Sequence, residues 1–333
     1  MEFGVFDHVD RARDDLHAYY EDRLRIVELY DEIGIDRYHV AEHHGTPLGM
    51  SASPSVYLAA VSQRTKNIRF GPMIFAAPLY HPLRLAEEIC MIDQMSGGRF
   101  ELGFGRGASP IEASFWNVER EEMEPVYQET NAIILDALQT GELNYNGKYY
   151  SFDRVPLCLE PRQKPYPPMW YGIHSVESAA RVAREGFNVI SLDSAEETGE
   201  YVDSYRAAWR EENGDAPEPC IGISYFIVIA EDEDKALSVA RRSYPVWHDS
   251  FNYLFRRIGT VPRHQRPADW DGIVAEGRAF AGTPDQVAAF LKDACETSGV
   301  NYLVSQFAFG DQTVDETFRT VRLFADHVMP ILK

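Results

Sequence analysis

The amino-acid sequence predicts an α/β fold: one domain over residues 1–333, built as a single (β/α)8 TIM barrel with insertions. Short apolar runs alternate along the chain with segments whose apolar residues recur at helical spacing, which is the rhythm of a parallel sheet. We count eight such units, the number that closes a barrel in a chain of this length. Polar residues also gather just past several predicted strands, where a barrel carries its site.

The first four units follow one another without interruption. Gly34 ends the first predicted helix, Pro82 suits the first turn of the third, and Gly97 and Gly98 close that helix. The predicted elements of this half are strand 2–8, helix 18–33, strand 36–44, helix 54–65, strand 67–78, helix 81–98, strand 99–105 and helix 120–140.

The second half continues the pattern around two insertions. Its predicted elements are strand 168–174, helix 175–186, strand 187–192, helix 196–213, strand 220–230, helix 233–243, helix 282–299, strand 300–307 and helix 314–328. The first insertion, at about 143–168, predicts a β-hairpin that turns at Asn146–Gly147 and then a proline-rich connector. The second, at about 244–282, lacks a clean period, and we interpret it as a lid before the last helix–strand unit.

The composition argues against several classes of binding partner and of protein. The net charge is −20, from 52 acidic and 32 basic residues, and no basic stripe of a nucleic-acid binder is visible. No run approaches the roughly 18 apolar residues of a membrane span, and the first residues do not resemble a secretory signal. The four cysteines are scattered, which argues against a zinc cluster or a disulfide framework. We therefore expect a cytoplasmic enzyme.

The sequence `EHH`, Glu42 to His44, follows the second predicted strand. A metal site is one interpretation, but adjacent strand residues point to opposite faces and no H-x-H pair accompanies them, so we expect no metal. A second interpretation is a hydrogen-bonded strand end without further function. The third is a catalytic or ligand-binding histidine at the mouth of the barrel.

Two further strand ends suit an anion. Arg106 lies between glycines after the fourth strand and fits a phosphate or a carboxylate, although an ion pair at the barrel rim is an alternative. Ser175 is placed to cap the helix after the fifth strand, and Ser178 adds a hydroxyl one turn on. Helix N-termini bind phosphate through their free N–H groups, but a plain capping serine is an equally good interpretation.

These residues resemble the bacterial luciferase-like flavin monooxygenases, and the alkanal-monooxygenase branch in particular. The resemblance is carried by `EHH`, by `HPLRLAEEICMIDQMSGGRFELGFGRG` at 81–107 and by `GIHSVESAARVAREGF` at 172–187, with the spacings between them kept. It covers nearly the whole chain and implies a (β/α)8 barrel that binds reduced flavin, or the deazaflavin F420, at its mouth.

The resemblance also implies roles for single residues. His43 matches a histidine required for chemistry at the flavin, and Met73 with Ile74 matches a position where many members carry a cis peptide. The residues that match the flavin-phosphate site are Arg106, His174, Ser175 and Ser178. The residues that we expect near the substrate pocket from their positions are Phe6, His8, His44, Phe75, Tyr80 and Trp116.

This sequence departs from luciferase at two places. Gly105 stands where luciferase has a reactive cysteine, which puts light emission in doubt but not oxygen chemistry. An aromatic residue that flanks the flavin in luciferase falls near Asp193 here, so a long-chain aldehyde substrate cannot be carried over.

The function that the resemblance implies is that of a two-component monooxygenase. FMNH2 from a separate NAD(P)H:flavin reductase would react with O2 through a flavin C4a-peroxide and oxygenate a small organic substrate by hydroxylation or Baeyer–Villiger insertion. A homodimer that packs through the helices after strands 2 and 3 is expected. The alternatives are an F420-dependent hydride-transferring oxidoreductase, a non-catalytic flavin-binding protein and, more remotely, a metal hydrolase.

A basic cluster in the second insertion has two interpretations. It is either a solvated face or a surface that meets an acidic substrate or the reductase. Its members are Arg256, Arg257, Arg263, His264 and Arg266.

Overall fold

A parallel sheet curls around the centre of the protein and is nearly closed into a barrel. The computed structural model describes residues 1–11, 13–107, 109–262 and 265–333. The strands in these ranges are β1 Glu2–Asp7, β2 Arg37–Val40, β3 Arg69–Pro72, β4 Phe75–Ala76, β5 Leu102–Gly105, β6 Glu142–Asn146, β7 Ser151–Pro156, β8 Met169–Ile173, β9 Asn188–Ser191, β10 Ile221–Ile229, β11 Ala279–Gly282 and β12 Tyr302–Gln306.

The strand order establishes the barrel. Neighbouring strands run β3-β2-β1-β12-β10-β9-β8-β5-β4, and all the pairs along this path are parallel. A bridge between Phe70 and Phe100 joins β3 to the segment just before β5 and so brings the two sides of the sheet together. The prediction of a (β/α)8 barrel is confirmed.

Helices surround the barrel and begin and end largely where the sequence specifies. They are α1 Leu16–Glu32, α2 Pro54–Arg64, α3 Pro82–Met95, α4 Pro110–Ser114, α5 Met123–Thr140, α6 Val176–Arg184, α7 Ala195–Asn213, α8 Glu233–Phe251, α9 Tyr253–Ile258, α10 Trp270–Ala275, α11 Pro284–Ser298, α12 Val314–Leu323 and α13 Met329–Leu332. Thr283 caps α11 ahead of Pro284, and Thr313 caps α12, each in a capping box. None of the helices in the described ranges is long and apolar enough to cross a membrane.

Side chains fill the N-terminal half of the barrel. Trp170 and Tyr302 are fully buried there with ring centroids 5.3 Å apart, and His39 bonds the Tyr302 hydroxyl through Nε2 at 2.8 Å. The Tyr302 ring fits because Gly4 has no side chain: a Cβ on Gly4 would overlap the Tyr302 hydroxyl. This half is therefore closed to ligands, which leaves the C-terminal mouth for a site.

Two predicted strands are shorter than expected. β2 ends at Val40, so Glu42–His44 lie in the following loop and not in the strand. The third predicted strand is interrupted at the cis peptide between Met73 and Ile74, which separates β3 from β4. The predicted hairpin is present as β6 and β7, but Gly147 to Tyr150 form a four-residue loop instead of a two-residue turn.

The second insertion is more regular than predicted. Helix α8 continues through Pro245 to Phe251, and α9, α10 and β11 follow it. Tyr244, Trp247 and Phe251 recur at helical spacing and pack on one another, but the internal proline hid this period in the sequence. Arg263 and His264 of the basic cluster lie outside the described residues.

Candidate active site at the barrel mouth

Two histidines stand side by side at the C-terminal end of the barrel. His8 follows β1, and His43 belongs to the loop after the neighbouring strand β2. Their rings are stacked, with centroids 5.9 Å apart and planes 18° from parallel. Parallel strands place their carboxyl ends at one edge, which is why residues 35 positions apart meet here.

A carboxylate from α4 holds the `EHH` loop. Glu112, which is only 8% exposed, contacts His43 Nδ1 through Oε1 at 3.1 Å. Its other oxygen, Oε2, accepts the backbone N–H of His44 at 2.7 Å. Because a carboxylate only accepts, this contact places a proton on Nδ1 of His43 and leaves Nε2 available to a ligand.

His44, the second histidine of `EHH`, makes its contacts within its own loop. His44 Nε2 lies 2.7 Å from Oε1 of Glu42, whose Oε2 accepts the backbone N–H of Ala76 at 2.9 Å. The ring of Trp116 meets His44 edge-on, with centroids 4.4 Å apart. Burial, followed by the charge of Glu42, raises the pKa of Tyr80 above its ordinary value. This group of contacts ties the loop to β4.

His8 lies deeper in the mouth than His43. Burial lowers its pKa well below 6.5, and the nearby His43 and Arg266 lower it further, so His8 is neutral. The Nε1–H of Trp247 on α8 donates to His8 Nδ1 at 3.4 Å. Nδ1 is therefore the acceptor, and Nε2 carries the proton and can donate it to a ligand.

The start of α6 offers an anion site. Ser175 caps the helix by accepting the Ser178 N–H at 3.2 Å, and the Ser178 hydroxyl donates to the Ser175 carbonyl at 2.9 Å. The first N–H groups of the helix have no helical acceptor and point toward the mouth side of the barrel. Ser175 and Ser178 therefore lie at a helix N-terminus, where free N–H groups can bind a phosphate.

His174 is turned partly away from this helix end. It is exposed, and its Nδ1 lies 3.3 Å from Oδ2 of Asp193 beyond β9. Burial alone would raise the pKa of Asp193, but the hydrogen bond from His174 and the charge of Arg278 hold it below the ordinary value. Arg278 Nη2 lies 3.1 Å from Asp193 Oδ1. Asp193 thus has partners of its own beside the predicted phosphate site.

Arg106 is loosely held. Its side chain is 60% exposed, and Nη1 is 3.8 Å from Oε2 of Glu124, which is also exposed. An exposed pair at this distance contributes little to stability. The guanidinium is therefore available to a phosphate.

The space between the histidines at the mouth and the start of α6 suits a flat ring. Trp170 points into the barrel from β8, and Gly172, two residues on, faces the same way. A Cβ on Gly172 would have no atom within 4 Å, so the barrel is open above it. Partly buried Met73 packs on the apolar cluster that contains Phe6 and borders the same space. The polar and apolar groups present thus fit a flavin with its phosphate at α6.

Phe75 was expected near the pocket, and the structure corrects this. Its side chain is fully buried and packs on Tyr80 and Phe104, with centroids 5.5 Å and 6.3 Å away. Pairing of β4 with β5 turns Phe75 into the layer between barrel and helices. Phe75 therefore belongs to the core.

The sequence did not point to several residues that shape the mouth. Trp247 was hidden in the insertion, and Gly172 carries no signal of its own in a strand. Glu112 had one: Ser109 caps α4 and Glu112 follows three residues later, the spacing of a capping box. Here Glu112 turns to the histidines instead of the cap. No three His, Cys, Asp or Glu side chains converge to hold a metal ion in the part of the chain that the structure describes.

The fold and the mouth can now be compared with known proteins. The profile of the luciferase-like monooxygenases matches residues 1–302. The chain belongs to this family. The predicted resemblance is thereby confirmed, and with it the prediction of a monooxygenase-type oxidoreductase.

Individual relatives agree with this family. The protein y4wF of Sinorhizobium fredii, which is uncharacterized, is 35% identical over 333 residues, covering 99% of this chain and 96% of its own. The oxygenase component of the flavin-dependent trigonelline monooxygenase of Acinetobacter baylyi is 26% identical over 77% of this chain and 72% of its own. The crystal structure of monooxygenase RslO1 from Streptomyces bottropensis superposes with a TM-score of 0.89 at 26% identity, with both chains fully covered.

Proposed function

We propose that this protein is the oxygenase component of a two-component flavin-dependent monooxygenase. It would take FMNH2 from a separate NAD(P)H:flavin reductase and, with O2, oxygenate a small organic substrate by hydroxylation or Baeyer–Villiger insertion. The observation that carries the proposal is the mouth: an anion site at α6, an oriented histidine pair, and open space above Gly172 between them. Reduced FMN supplies the two electrons for a reaction in which one oxygen atom of O2 enters the substrate and the other becomes water.

The chain's own residues hold the cofactor. Ser175, Ser178 and the N–H groups at the start of α6 bind the phosphate, and Arg106 closes on it from the end of β5. Met73 and the apolar residues around Phe6 support the ring. The name of the Acinetobacter baylyi relative, an oxygenase component, supports the use of a separate reductase.

His43 moves or holds a proton at Nε2. Glu112 fixes the ring through Nδ1, so the free nitrogen has a constant direction. His8, neutral beside it, donates a hydrogen bond from its own Nε2. Such a pair can hold a negatively charged oxygen by hydrogen bonds, with His43 placed to pass a proton to it.

The second insertion excludes water. Its first part, the end of α8, places Trp247 against His8. Ser250 of the same helix accepts a hydrogen bond from Thr46, at 3.1 Å, in the loop that carries the histidines. We propose that residues 244–282 act as the lid, since reactive oxygen species survive longer where water is kept out.

A homodimer and a cytoplasmic location complete the proposal. Val56 on α2 and Met91 and Met95 on α3 expose 72%, 50% and 48% of their surface. Apolar side chains exposed together on neighbouring helices favour an interface. These are the helices after β2 and β3, through which we expect two copies to pack.

Rapid mixing tests the function. FMNH2 is bound without oxygen, oxygenated buffer is added, and the flavin spectrum is followed. We expect flavin reoxidation to be slower than for free FMNH2 by about tenfold, which corresponds to 1.4 kcal/mol. His43→Ala should keep its FMN affinity and lose oxygenation, whereas His327→Ala, at an exposed histidine far along the chain, should change neither.

Two results would reject the proposal. One is reoxidation at the rate of free flavin together with tight binding of F420, which would favour the hydride-transferring alternative. The other is equal loss of FMN affinity and oxygenation in His43→Ala, which would make His43 a binding residue only.

A further inference from the structure

A second arginine, Arg266, lies in the lid beside the part of α8 that contacts His8. The carbonyl of Arg266 accepts a hydrogen bond from Nε2 of His248 at 3.2 Å, and that of Pro267 accepts one from the Tyr244 hydroxyl at 3.1 Å. Both donors are on α8 and flank Trp247, which contacts His8. The backbone at 266–267 is thus fixed on the part of α8 that lies at the mouth.

The charge of Arg266 reaches the strand ends. It lowers the pKa of His8 after β1 and that of Asp193 after β9. The side chain of Arg266 is only partly buried, so it remains accessible to a ligand.

Arg266 has no counter-charge in contact. Among the described residues, no carboxylate oxygen lies within 4.0 Å of its guanidinium. The acids whose charges act on Arg266 are Asp193 and Glu276. Arg278 binds both of them, at 3.1 Å and 3.4 Å. Burial and then the charge of Arg278 lower the pKa of Arg266, although an arginine stays protonated. A partly buried guanidinium without a paired carboxylate is available to an incoming anion, with which it can form charge-assisted hydrogen bonds.

We propose that Arg266 binds a carboxylate of the organic substrate, so that the enzyme selects acidic substrates. This inference rests on the proposed function and adds the substrate class to it. The cofactor's phosphate is the other anion that could meet Arg266. The backbone of Arg266 is bonded to α8 beside Trp247, which contacts His8, and this favours the side of the reacting histidines.

Pairs of small molecules that differ by one charge test this. FMN-loaded protein is titrated with acetate and acetamide and with benzoate and benzamide, by calorimetry and by the fluorescence of the tryptophans. We expect the carboxylate of a pair to bind about tenfold more tightly than the amide, as a charge-assisted bidentate contact allows. In Arg266→Met the preference should fall below about twofold, and Arg266→Lys should keep part of it.

Arg241→Met is the matched control. Arg241 is an exposed cation on α8, paired with Asp271 at 2.9 Å, and its removal should leave the carboxylate preference unchanged. Should Arg266→Met fail to fold, Arg266→Gln replaces it, and the preference of the unaltered protein is measured in either case.

The outcomes separate the two proposals. Equal affinities for carboxylate and amide in the unaltered protein overturn the role of Arg266. So does a loss of FMN affinity in Arg266→Met without a loss of riboflavin affinity, because Arg266 would then bind the phosphate. Flavin reoxidation, measured without any organic probe, tests the proposed function alone.

Discussion

The two ends of the barrel both bury charge and histidine, but they do so differently. At the N-terminal end, Glu101 is 1% exposed and accepts hydrogen bonds from Arg37, Arg69 and Trp170. At the C-terminal mouth, His8 and Arg266 are only partly buried, and each keeps hydrogen-bonding capacity that no described side chain uses.

This comparison distinguishes buried polar groups that stabilise the fold from polar groups that are free to bind a ligand. The Glu101 network, in which both carboxylate oxygens have partners, holds the fold together and has nothing left for a ligand. A network with unused donors at an accessible surface is less stable by itself and is completed by what it binds. Breaking one member should therefore affect stability at the lower end and chemistry at the mouth.

The largest effect is expected at the closed end. Glu101→Gln removes the charge that Arg37 and Arg69 share, and the weakening of two charge-assisted hydrogen bonds to a buried group should cost about 3 kcal/mol of the free energy of unfolding. Urea denaturation measures the cost, and the FMN affinity should stay the same. Glu160→Gln breaks an exposed pair with Lys164 and should leave the free energy of unfolding nearly unchanged. Similar costs in both variants would contradict the distinction.

At the mouth, Glu112→Gln should affect chemistry and leave stability nearly intact. The amide can donate to His43 Nδ1, which moves the ring proton to Nε2. We expect the oxygenation rate to fall by about a hundredfold, the scale of a lost acid–base contribution. The ¹⁵N resonances of His43 report the tautomer directly. An unchanged tautomer with a reduced rate would show that Glu112 acts in another way.

A pH effect is expected at the closed end. Burial lowers the pKa of His39 from 6.5 to about 3. The unfolded chain therefore takes up a proton at a pH where the folded chain does not, and stability is full above pH 6.5 and falls as the pH falls. This histidine should account for a loss of about 2 kcal/mol between pH 6.5 and pH 5. His39→Phe should flatten the curve of unfolding free energy against pH by that amount, and parallel curves would contradict it.

The smallest effect is expected at the anion site. Ser175→Ala removes the cap of α6 and should cost about 1 kcal/mol of stability. It should also weaken FMN binding about fivefold and leave riboflavin binding unchanged, since a hydroxyl near the phosphate is lost. Ser194→Ala removes the corresponding cap of α7 and should cost the same stability without any effect on FMN. Equal flavin affinities in the two variants would argue against the phosphate assignment.

The sequence specified the barrel well because its units repeat a local period. It specified less where distant segments meet. His43 and His8 could be placed at the mouth from their strands. The partner of His43 is Glu112, and no periodic pattern in the sequence predicts that these two residues meet. Pro245 concealed the second half of α8, and with it Trp247. Arg266 was visible only as one member of a basic cluster, because an insertion without a period gives no direction to its side chains.

The pairing of β11 with β10 has a consequence for how relatives diverge. The second insertion leaves the barrel at the end of β10 and returns beside the same strand, with Phe226 opposite Ala279 and Ile229 opposite Gly282. Residues 233–282 therefore begin and end at one strand. A segment anchored in this way can change in length and sequence among relatives without moving the other strands of the barrel.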